Sequence, residues 1–431
     1  MVEKRRLTLF VAVLIAALGS ACGSSSSSRA TGSSLAPDVT KQASSWVSDK
    51  GFAGDFGFAT GMTTAMFHGR LYVAAVSSAN QLVVESTADG ATWTPCTIKG
   101  QTGSLSIAQA PVLAATSSVL LLAISSDAFA GSTTSGGQLL LSSDGSTFVS
   151  GGTLGFRPQG SSWMRSSPQA GTGTTEGAVM IGVGTWFTSQ STVYQGFGYD
   201  GWTISSSGTA TPIPLGGIES SSDAIGGQID VKGAVLATVG KRVLLMGAMD
   251  FSGQYKGPFE PTAWISDDGG VTWKRSARGT FASPAPANTD SYISAVATSG
   301  SSVVAVGNAL TSSGGRYAVL PPAPTYQQAL VWHSNDGGNT WTRAVALPAA
   351  GMTRAAAVAL AGSTYVAVGE SSVAGGKPTP LVWTSSDGIN WTPVDHLSGL
   401  GVGATSLFDL GGKLVAIGAD PTGDAAAWTA G

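Results

Sequence analysis

Two eight-residue stretches share one pattern, and this pattern decides the fold of the 431-residue chain. Residues 266–273 read SDDGGVTW, and residues 334–341 read SNDGGNTW. Shorter copies, each lacking one glycine, occupy residues 87–93, 142–148 and 385–391, and a degenerate copy is predicted at residues 199–202. The repeated aspartates and the aromatic residues that follow them are Asp89 and Trp93, Asp144 and Phe148, Asp268 and Trp273, Asp336 and Trp341, and Asp387 and Trp391.

The chemistry of the repeated unit predicts a tight turn. An aspartate accepts hydrogen bonds from the N–H groups of a turn, and a glycine adopts the positive φ that other residues resist. The following tryptophan then starts a strand and fills the space between neighbouring sheets. The aspartates could instead bind calcium or act in catalysis. Since the turn accounts for each of them, no metal site and no cofactor are predicted.

A second repeated element, an apolar run that often ends in glycine, precedes each unit. Its seven copies lie at residues 71–76, 119–124, 179–184, 243–247, 303–307, 365–369 and 414–418. Each unit therefore reads as strand A, a turn, strand B, a variable loop, strand C, the Asp–Gly turn and strand D. Radial repetition of four-stranded antiparallel units predicts an all-β, seven-bladed β-propeller.

The seventh unit lacks its Asp–Gly turn and its strand D, because the sequence ends after residue 431. An unpaired strand edge would remain in that blade. Residues 44–48, with Trp46 in the place of the unit tryptophan, look like the missing strand. We expect them to close the ring by pairing with residues 425–429.

The repeated units resemble the Asp-box, or BNR repeat, with the pattern S-x-D-x-G-x-T-W. The best-known Asp-box propellers are sialidases, so the resemblance implies a propeller and makes an exo-sialidase type of glycoside hydrolase one reading of the function. In that family an arginine triad binds the substrate carboxylate. The nearest match to the family's arginine signature is Phe156-Arg157-Pro158, which lacks the isoleucine and follows the second unit. The triad is therefore not carried over to this chain.

The N-terminus has the layout of a secretory signal, with basic residues 4–6, an apolar run at 7–18 and small residues before Cys22. This resembles the lipobox of bacterial lipoproteins, which implies a signal peptide at 1–21 and lipidation of Cys22; an ordinary secreted protein is the alternative. Residues 22–36 are predicted to be a Ser/Gly-rich tether, and residues 37–431 a single propeller domain. We expect an extracytoplasmic, membrane-anchored monomer at the cell surface or in the periplasm.

Composition excludes several functions. The formal net charge of −3, without a basic block, argues against nucleic-acid binding. Two cysteines cannot form a disulfide scaffold, and three histidines make a zinc site unexpected.

In a propeller, the A–B and C–D turns share one face, and the B–C loops and D–A connections share the other. We call these the turn face and the loop face. Function is expected on the loop face, where long loops are predicted at residues 125–137, 185–194, 248–261, 308–328 and 370–380. These carry Tyr255, Glu260 and Glu370 as candidate ligand-binding residues.

Register predicts a second group of binding residues at the axis. Counting fifteen residues back from the glycine that ends strand B gives Lys232, Tyr292 and Arg354 in units four to six, and Arg165 occupies the matching place in unit three. Because strand A is innermost, these residues are expected to converge into a cationic pocket for a carboxylate or phosphate. The alternative is that they extend into solvent at the channel rim.

The sequence contains no nucleophile elbow, P-loop, zinc-protease motif or dinucleotide fingerprint. It therefore favours a non-catalytic, ligand-binding or scaffold propeller for a glycan, peptide, other protein or small anion. The alternative is a divergent sialidase-like glycoside hydrolase, which would need two carboxyl groups roughly 5–10 Å apart.

Overall fold

A computed structural model of the chain describes residues 38–49, 52, 61–77, 79–99, 110–125, 137–154, 163–187, 194–213, 228–250, 258–286, 289–312, 324–342, 345–373 and 376–430. Within these ranges the structure is almost entirely β, with one short helix, α1 (Val39–Gln42). The Asp38 carboxylate caps α1 by accepting from the N–H groups of Thr40 and Lys41. Among the described residues, no helix has both the length and the hydropathy that crossing a bilayer requires.

Seven sheets, each with four antiparallel strands A to D, form a seven-bladed β-propeller, as the repeat predicts. Blades 1 to 3 contain, in strand order A to D, β2 (Thr63–Phe67), β3 (Arg70–Val76), β4 (Leu82–Thr87) and β5 (Trp93–Pro95); β7 (Val112–Ala115), β8 (Leu120–Ile124), β9 (Gly137–Ser142) and β10 (Thr147–Leu154); and β11 (Trp163–Gly173), β12 (Gly177–Phe187), β13 (Tyr194–Ser205) and β14 (Ala210–Pro212).

Blades 4 to 6 follow the same order. They contain β15 (Gln228–Val239), β16 (Arg242–Asp250), β17 (Phe259–Ser266) and β18 (Lys274–Arg275); β19 (Asp290–Ser299), β20 (Ser302–Ser312), β21 (Pro324–Ser334) and β22 (Val345–Ala346); and β23 (Met352–Ala361), β24 (Thr364–Ser372), β25 (Thr379–Ser385) and β26 (Thr392–Pro393).

Blade 7 joins the two ends of the chain. Its inner strands are β27 (Ala404–Asp409), β28 (Leu414–Ala419) and β29 (Ala425–Ala430), and its fourth strand is β1 (Trp46–Asp49) from the N-terminal segment. The register pairs Trp46 with Ala430 and Asp49 with Ala427. On the other edge of β1, the Trp46 N–H donates to the Ser398 carbonyl oxygen at 2.9 Å. The predicted closure by residues 44–48 is confirmed.

The hydrophobic core lies in the seams between blades. Buried tryptophans on strand C face the preceding blade in blades 3 to 7: Trp202, Trp264, Trp332, Trp383 and Trp428. The tryptophans of the Asp–Gly units occupy the same seams, as Trp273 does against blade 3. Each blade therefore buries both faces against its neighbours, which is how a chain of this length avoids needing one large core.

The prediction of a degenerate repeat copy, and hence a turn, at residues 199–202 is wrong. These residues lie inside β13, where Trp202 is the buried strand-C tryptophan. The actual C–D turn of blade 3 follows at residues 205–209, where the Gly208 N–H donates to the Ser205 carbonyl and Gly208 has φ +88°. Ser207 stands there in the place of the aspartate, and its hydroxyl lies 2.8 Å from that of Ser205.

Two further features differ from the prediction. Blade 2 has a fifth strand, because β6 (Thr97–Ile98) pairs in parallel with the outer edge of β10. The B–C connections of blades 3 to 6 are also shorter than expected, since strands B and C extend into the predicted loops. Glu260 lies on β17 and Glu370 on β24, so both belong to strands rather than to loops.

Candidate functional site

The repeated aspartates form the turns that the sequence predicts. The Asp268 Oδ1 atom accepts from the Ser266 hydroxyl at 2.7 Å and from the Thr272 N–H at 2.8 Å, and its Oδ2 accepts from the Thr272 hydroxyl at 2.6 Å. Although burial raises the pKa of Asp268, these hydrogen bonds outweigh it, and the pKa lies below its ordinary value. Asp336 and Asp387 make equivalent contacts.

The glycine of each unit is held against the preceding blade. Gly338 has φ +88°, and a Cβ atom on it would lie 2.8 Å from the Leu244 side chain in blade 4. A Cβ on Gly388 would lie 2.5 Å from Val304 in blade 5. Backbone geometry and packing therefore account for the Asp and Gly residues of the turn face. The candidate ligand-binding residues lie on the opposite face.

On the loop face, blades 4 to 6 carry an unbroken series of contacts, which we call the loop-face arc. Its residues are Phe259, Glu260, Arg278, Asp290, Tyr292, Asn308, Arg354 and Glu370. All stand near the loop-face ends of β17, β19, β20, β23 and β24 or, for Arg278, in the connection that follows β18. Four of them, Glu260, Tyr292, Arg354 and Glu370, are predicted from the sequence as ligand-binding residues.

The blade 4 end of the arc combines an ion pair with an aromatic shelf. The Arg278 guanidinium lies 3.4 Å from the Glu260 carboxylate, with side chains 64% and 31% exposed. Next along the strand, the buried Phe259 ring is stacked under the half-buried Tyr292 ring, with centroids 5.9 Å apart. The Phe259 N–H donates to the Asp290 carboxylate at 2.9 Å, which ties the two blades together.

The blade 6 end of the arc carries a second ion pair. The Arg354 Nε atom lies 3.3 Å from Glu370 Oε1, and the two side chains are 28% and 24% exposed. Asn308 connects this end to blade 5. Its amide nitrogen donates to the Ala355 carbonyl at 3.1 Å, and its amide oxygen accepts from the Ala355 N–H at 2.8 Å.

The register that the sequence predicts for the axial residues has a physical cause. Strand A bulges between Ile293 and Ala295 in blade 5, and at the matching place in blade 6. The bulge brings the carbonyl oxygens of Tyr292 and Arg354 against Gly307 and Gly369, where a Cβ atom would overlap them. Tyr292 and Arg354 therefore occupy equivalent positions in consecutive blades.

The convergence of the whole axial group stays a prediction. Arg165 of β11 is opposite Thr185 of β12, and Lys232 lies in β15 where its register with β16 shifts. The side chains of Arg165 and Lys232 are outside the described part of the structure. Tyr255 and Cys22 also lie outside the described residues. Arg354 has an acidic partner in its own blade, so the described member of the predicted cationic group is part of an ion pair.

Three residues of the arc are missed by sequence reasoning: Arg278, Asp290 and Asn308. Phe259 lies in the loop that the sequence predicts at residues 248–261. Asp290 lies two residues before Tyr292, so a search around Tyr292 would have found it. Asn308 follows the strand-B glycine directly, in the position that Glu370 occupies in blade 6.

The arc can bind a polar ligand with exposed hydroxyl or carboxylate groups. Guanidinium groups donate hydrogen bonds, carboxylates accept them, and an aromatic ring offers an apolar face. Within the described ranges, no group of three or more His, Cys, Asp or Glu side chains is placed to hold a metal ion.

No protein-family model and no curated protein matches this chain. Solved structures resemble it in fold. A sialidase of Trypanosoma rangeli, solved with the inhibitor DANA, is 13% identical with a TM-score of 0.44, and the match covers 79% of this chain and 56% of the sialidase. This chain thus spans just over half of that enzyme's length.

Two other solved structures are also similar. A protein of unknown function from Dyadobacter fermentans is 16% identical over 89% of this chain and 96% of its own, with a TM-score of 0.46. An α-L-arabinofuranosidase from Fusarium graminearum is 15% identical over 72% and 89%, with a TM-score of 0.40. These likenesses concern the propeller fold, and no residue role is carried over from any of these proteins.

Proposed function

We propose that this protein is a glycan-binding propeller, and that the loop-face arc of blades 4 to 6 is its binding surface. The observation that carries the proposal is the Arg354–Glu370 pair, which is partly exposed and linked through Asn308 and Tyr292 to an aromatic shelf. An ion pair beside an aromatic ring suits a sugar, because it offers donors and acceptors to hydroxyl groups while the ring packs against C–H groups.

A carboxylate-bearing glycan fits this surface best. Arginine binds a carboxylate with two parallel hydrogen bonds, which neutral hydroxyl groups do not match in strength. Within the pair, Glu370 occupies the Nε side of the guanidinium. A ligand carboxylate would compete with Glu370 for Arg354 or share its terminal nitrogens, and this competition sets a moderate affinity.

A divergent glycoside hydrolase is the alternative, and the arc supports it less well. The described glutamates of the arc, Glu260 and Glu370, stand two blades apart, and each has an arginine as its neighbour. Hydrolysis needs two carboxyl groups facing one bond, one of them protonated at the working pH.

Two screens on a soluble chain that starts at residue 37 separate these functions. A glycan array is expected to retain acidic glycans, and fluorogenic glycosides are expected to stay intact. Turnover of any glycoside that is lost in Glu260→Gln or Glu370→Gln would replace binding by hydrolysis. Retention of peptides or inorganic anions alone, with no glycan bound, would contradict the proposed ligand class.

We further propose that the repeated units are Asp-boxes, since their turns contain the aspartate contacts and positive-φ glycines that this motif requires. The N-terminal sequence supports a lipoprotein signal at 1–21, a lipid on Cys22 and a tether at 22–36, with the propeller over 37–431. The protein would then be an extracytoplasmic, membrane-anchored lipoprotein at the cell surface or in the periplasm, and we propose that it is a monomer. Labelling with a radioactive fatty acid, abolished by Cys22→Ser, tests the anchor.

A further inference from the structure

Three polar side chains meet at the turn-face end of the seam between blades 5 and 6, and we call them the seam cluster: Ser302, His333 and Tyr365. The Ser302 hydroxyl oxygen lies 3.1 Å from His333 Nε2 and 3.0 Å from the Tyr365 phenol oxygen. Ser302 and His333 belong to β20 and β21 of blade 5, and Tyr365 belongs to β24 of blade 6. One serine hydroxyl therefore links two blades.

The imidazole of His333 is enclosed. The residue is 3% exposed, and its Nδ1 atom is buried without a hydrogen-bond partner. The blade 6 turn lies over the ring, because a Cβ atom on Gly388 would be 3.1 Å from His333 Cδ2 and 3.4 Å from the Tyr365 ring. The surrounding structure thus leaves no acceptor at Nδ1.

This enclosure determines which proton the imidazole carries. A buried N–H without an acceptor costs more than a bare ring nitrogen, so the proton sits on Nε2 and is donated to the Ser302 oxygen. The serine hydroxyl then donates to Tyr365. A serine nucleophile would need the opposite arrangement, in which the imidazole accepts the hydroxyl proton. The seam cluster is therefore a structural joint and not a catalytic dyad.

Two titratable groups face His333 from blade 6, Asp387 in the turn and Tyr365 on β24. From its own blade, the Thr342 hydroxyl donates to the His333 carbonyl and accepts from its N–H, and neither contact reaches the ring. Burial lowers the pKa of His333, and the negative charge of Asp387 raises it by a smaller amount. The Asp387 carboxylate is itself occupied by the Asn390 and Ile389 N–H groups.

We propose that the seam cluster is an acid-sensitive joint between blades 5 and 6, closed while the His333 imidazole is neutral and weakened when the imidazole takes up a proton. Protonation places an N–H at Nδ1, where no acceptor is available, and adds a charge to a buried site. Since the folded pKa is below the ordinary value of about 6.5, the joint is intact above that pH. It weakens as the pH falls from there toward the folded pKa.

Strands β20 and β24 connect the seam cluster to the loop-face arc. β20 carries Ser302 at one end and Asn308 near the other, and β24 likewise carries Tyr365 and Glu370. A weakened seam would loosen the Asn308 contact with Ala355 and so alter the arc. This consequence rests on the proposed function, whereas the joint itself does not.

Nuclear magnetic resonance of the imidazole groups tests the joint directly, because the protein has only three histidines. His68 and His396 are exposed, and their resonances remain in the His333→Gln variant. The His333 resonance, assigned by its loss in that variant, is expected to titrate below the ordinary histidine value of about 6.5. A His333 that titrates at or above that value would overturn the proposal.

Hydrogen exchange measures the seam itself and needs no ligand. After correction for intrinsic pH dependence, amides at 302–306 and 364–368 should exchange at least about threefold faster at pH 5.5 than at pH 7.5. Amides at 120–124 should not change. His333→Gln should remove the difference, and Tyr365→Phe, which keeps the ring, should give fast exchange already at pH 7.5. An equal pH effect in wild type and His333→Gln would contradict the joint.

Discussion

The indole N–H of Trp46 donates to the carbonyl oxygen of Ala43 at 2.8 Å. The unit tryptophans make the same contact three residues back, as Trp273 does with Gly270 at 2.8 Å and Trp391 with Gly388 at 3.1 Å. A short helix and Ala43 thus replace the Asp–Gly turn at the N-terminus, and Trp46 takes the role of a unit tryptophan more than 350 residues from the rest of its blade.

Removing the Trp46 side chain should open the ring. Trp46→Ala leaves a cavity in a seam where the residue is 4% exposed, and we expect a loss of about 3–5 kcal/mol in the free energy of unfolding. Urea titration measures it. Val47→Ala in the same strand, where the side chain is 67% exposed, should change the free energy by less than about 0.5 kcal/mol. Equal effects of the two variants would mean that β1 does not close the ring in solution.

A disulfide across the closure should lock it. Val47 and Thr429 are direct antiparallel partners, whose Cα atoms lie about 4.5–5.5 Å apart, within the range of a disulfide. In a chain that starts at residue 37, Val47→Cys with Thr429→Cys should oxidise in air and stabilise the protein by about 2–4 kcal/mol.

The natural Cys96 should not interfere with this disulfide, because burial raises the pKa of its thiol to about 11. The single variant Val47→Cys is the control and should gain nothing. Failure of the double variant to form the bond, judged by a thiol assay, would argue against the β1–β29 register.

The turn glycines should be sensitive to substitution for two separable reasons. Gly338→Ala meets both a positive φ and the Leu244 side chain, whereas Gly362→Ala meets a positive φ with nothing within 4 Å. We expect Gly362→Ala to cost about 1 kcal/mol and Gly338→Ala about 1–3 kcal/mol more. Thermal unfolding of both variants checks this order. A reversed order would contradict the packing of the blade 5 turn against Leu244 in strand B of blade 4.

The aspartate turns should make the protein sensitive to strong acid. Hydrogen bonds from the Asn390 and Ile389 N–H groups hold the pKa of Asp387 below its ordinary value, and Asp89 is held down in the same way by Thr92 and Ala91. Because these folded pKa values are lowered, their stabilisation is present above about pH 4 and is lost as the pH falls below it.

Asp387→Ala should therefore lower the stability by about 1 kcal/mol at pH 7 and reduce its fall between pH 4 and pH 2. Asp395→Ala, an exposed aspartate of the same blade, is the matched control and should leave both quantities unchanged. Calorimetry across this pH range measures them. If Asp387→Ala shows the same acid profile as wild type, the turn carboxylate does not contribute as described.

The fold follows from the sequence because each unit carries its own turn chemistry. Positive φ at Gly270 and Gly388 and the aspartate contacts are local properties, so each unit marks a C–D turn. The seven apolar runs of strand B were sufficient to count the blades. Trp46 revealed the closing strand because it takes, in the seam between blades 6 and 7, the position that Trp391 takes in the seam between blades 5 and 6. The third turn was misplaced because Trp202, a strand-C tryptophan, follows an Asp–Gly pair by coincidence inside β13.

The candidate site could be predicted from the sequence only in part. An A–B hairpin closed by Ala361 and Thr364 would, without a bulge, pair Arg354 with Ser371; the bulge after Ala355 moves it opposite Glu370. A bulge of this kind leaves no clear signal in a single sequence. The sequence therefore predicted a cationic residue at this level but not its acidic partner. The lengths of β17 and β24 were also underestimated, since they depend on pairing between distant residues.

The central claim, that the loop-face arc binds an acidic glycan through Arg354, is tested most directly by calorimetric titration with 3′-sialyllactose and with neutral lactose. Wild type should bind the acidic sugar more tightly, Arg354→Gln should weaken that binding about tenfold, and Glu370→Gln should strengthen it, because the guanidinium loses its competitor. Lys241→Gln removes the same charge from the turn face and should have no effect. Equal affinity for both sugars, or unchanged binding in Arg354→Gln, would contradict the account.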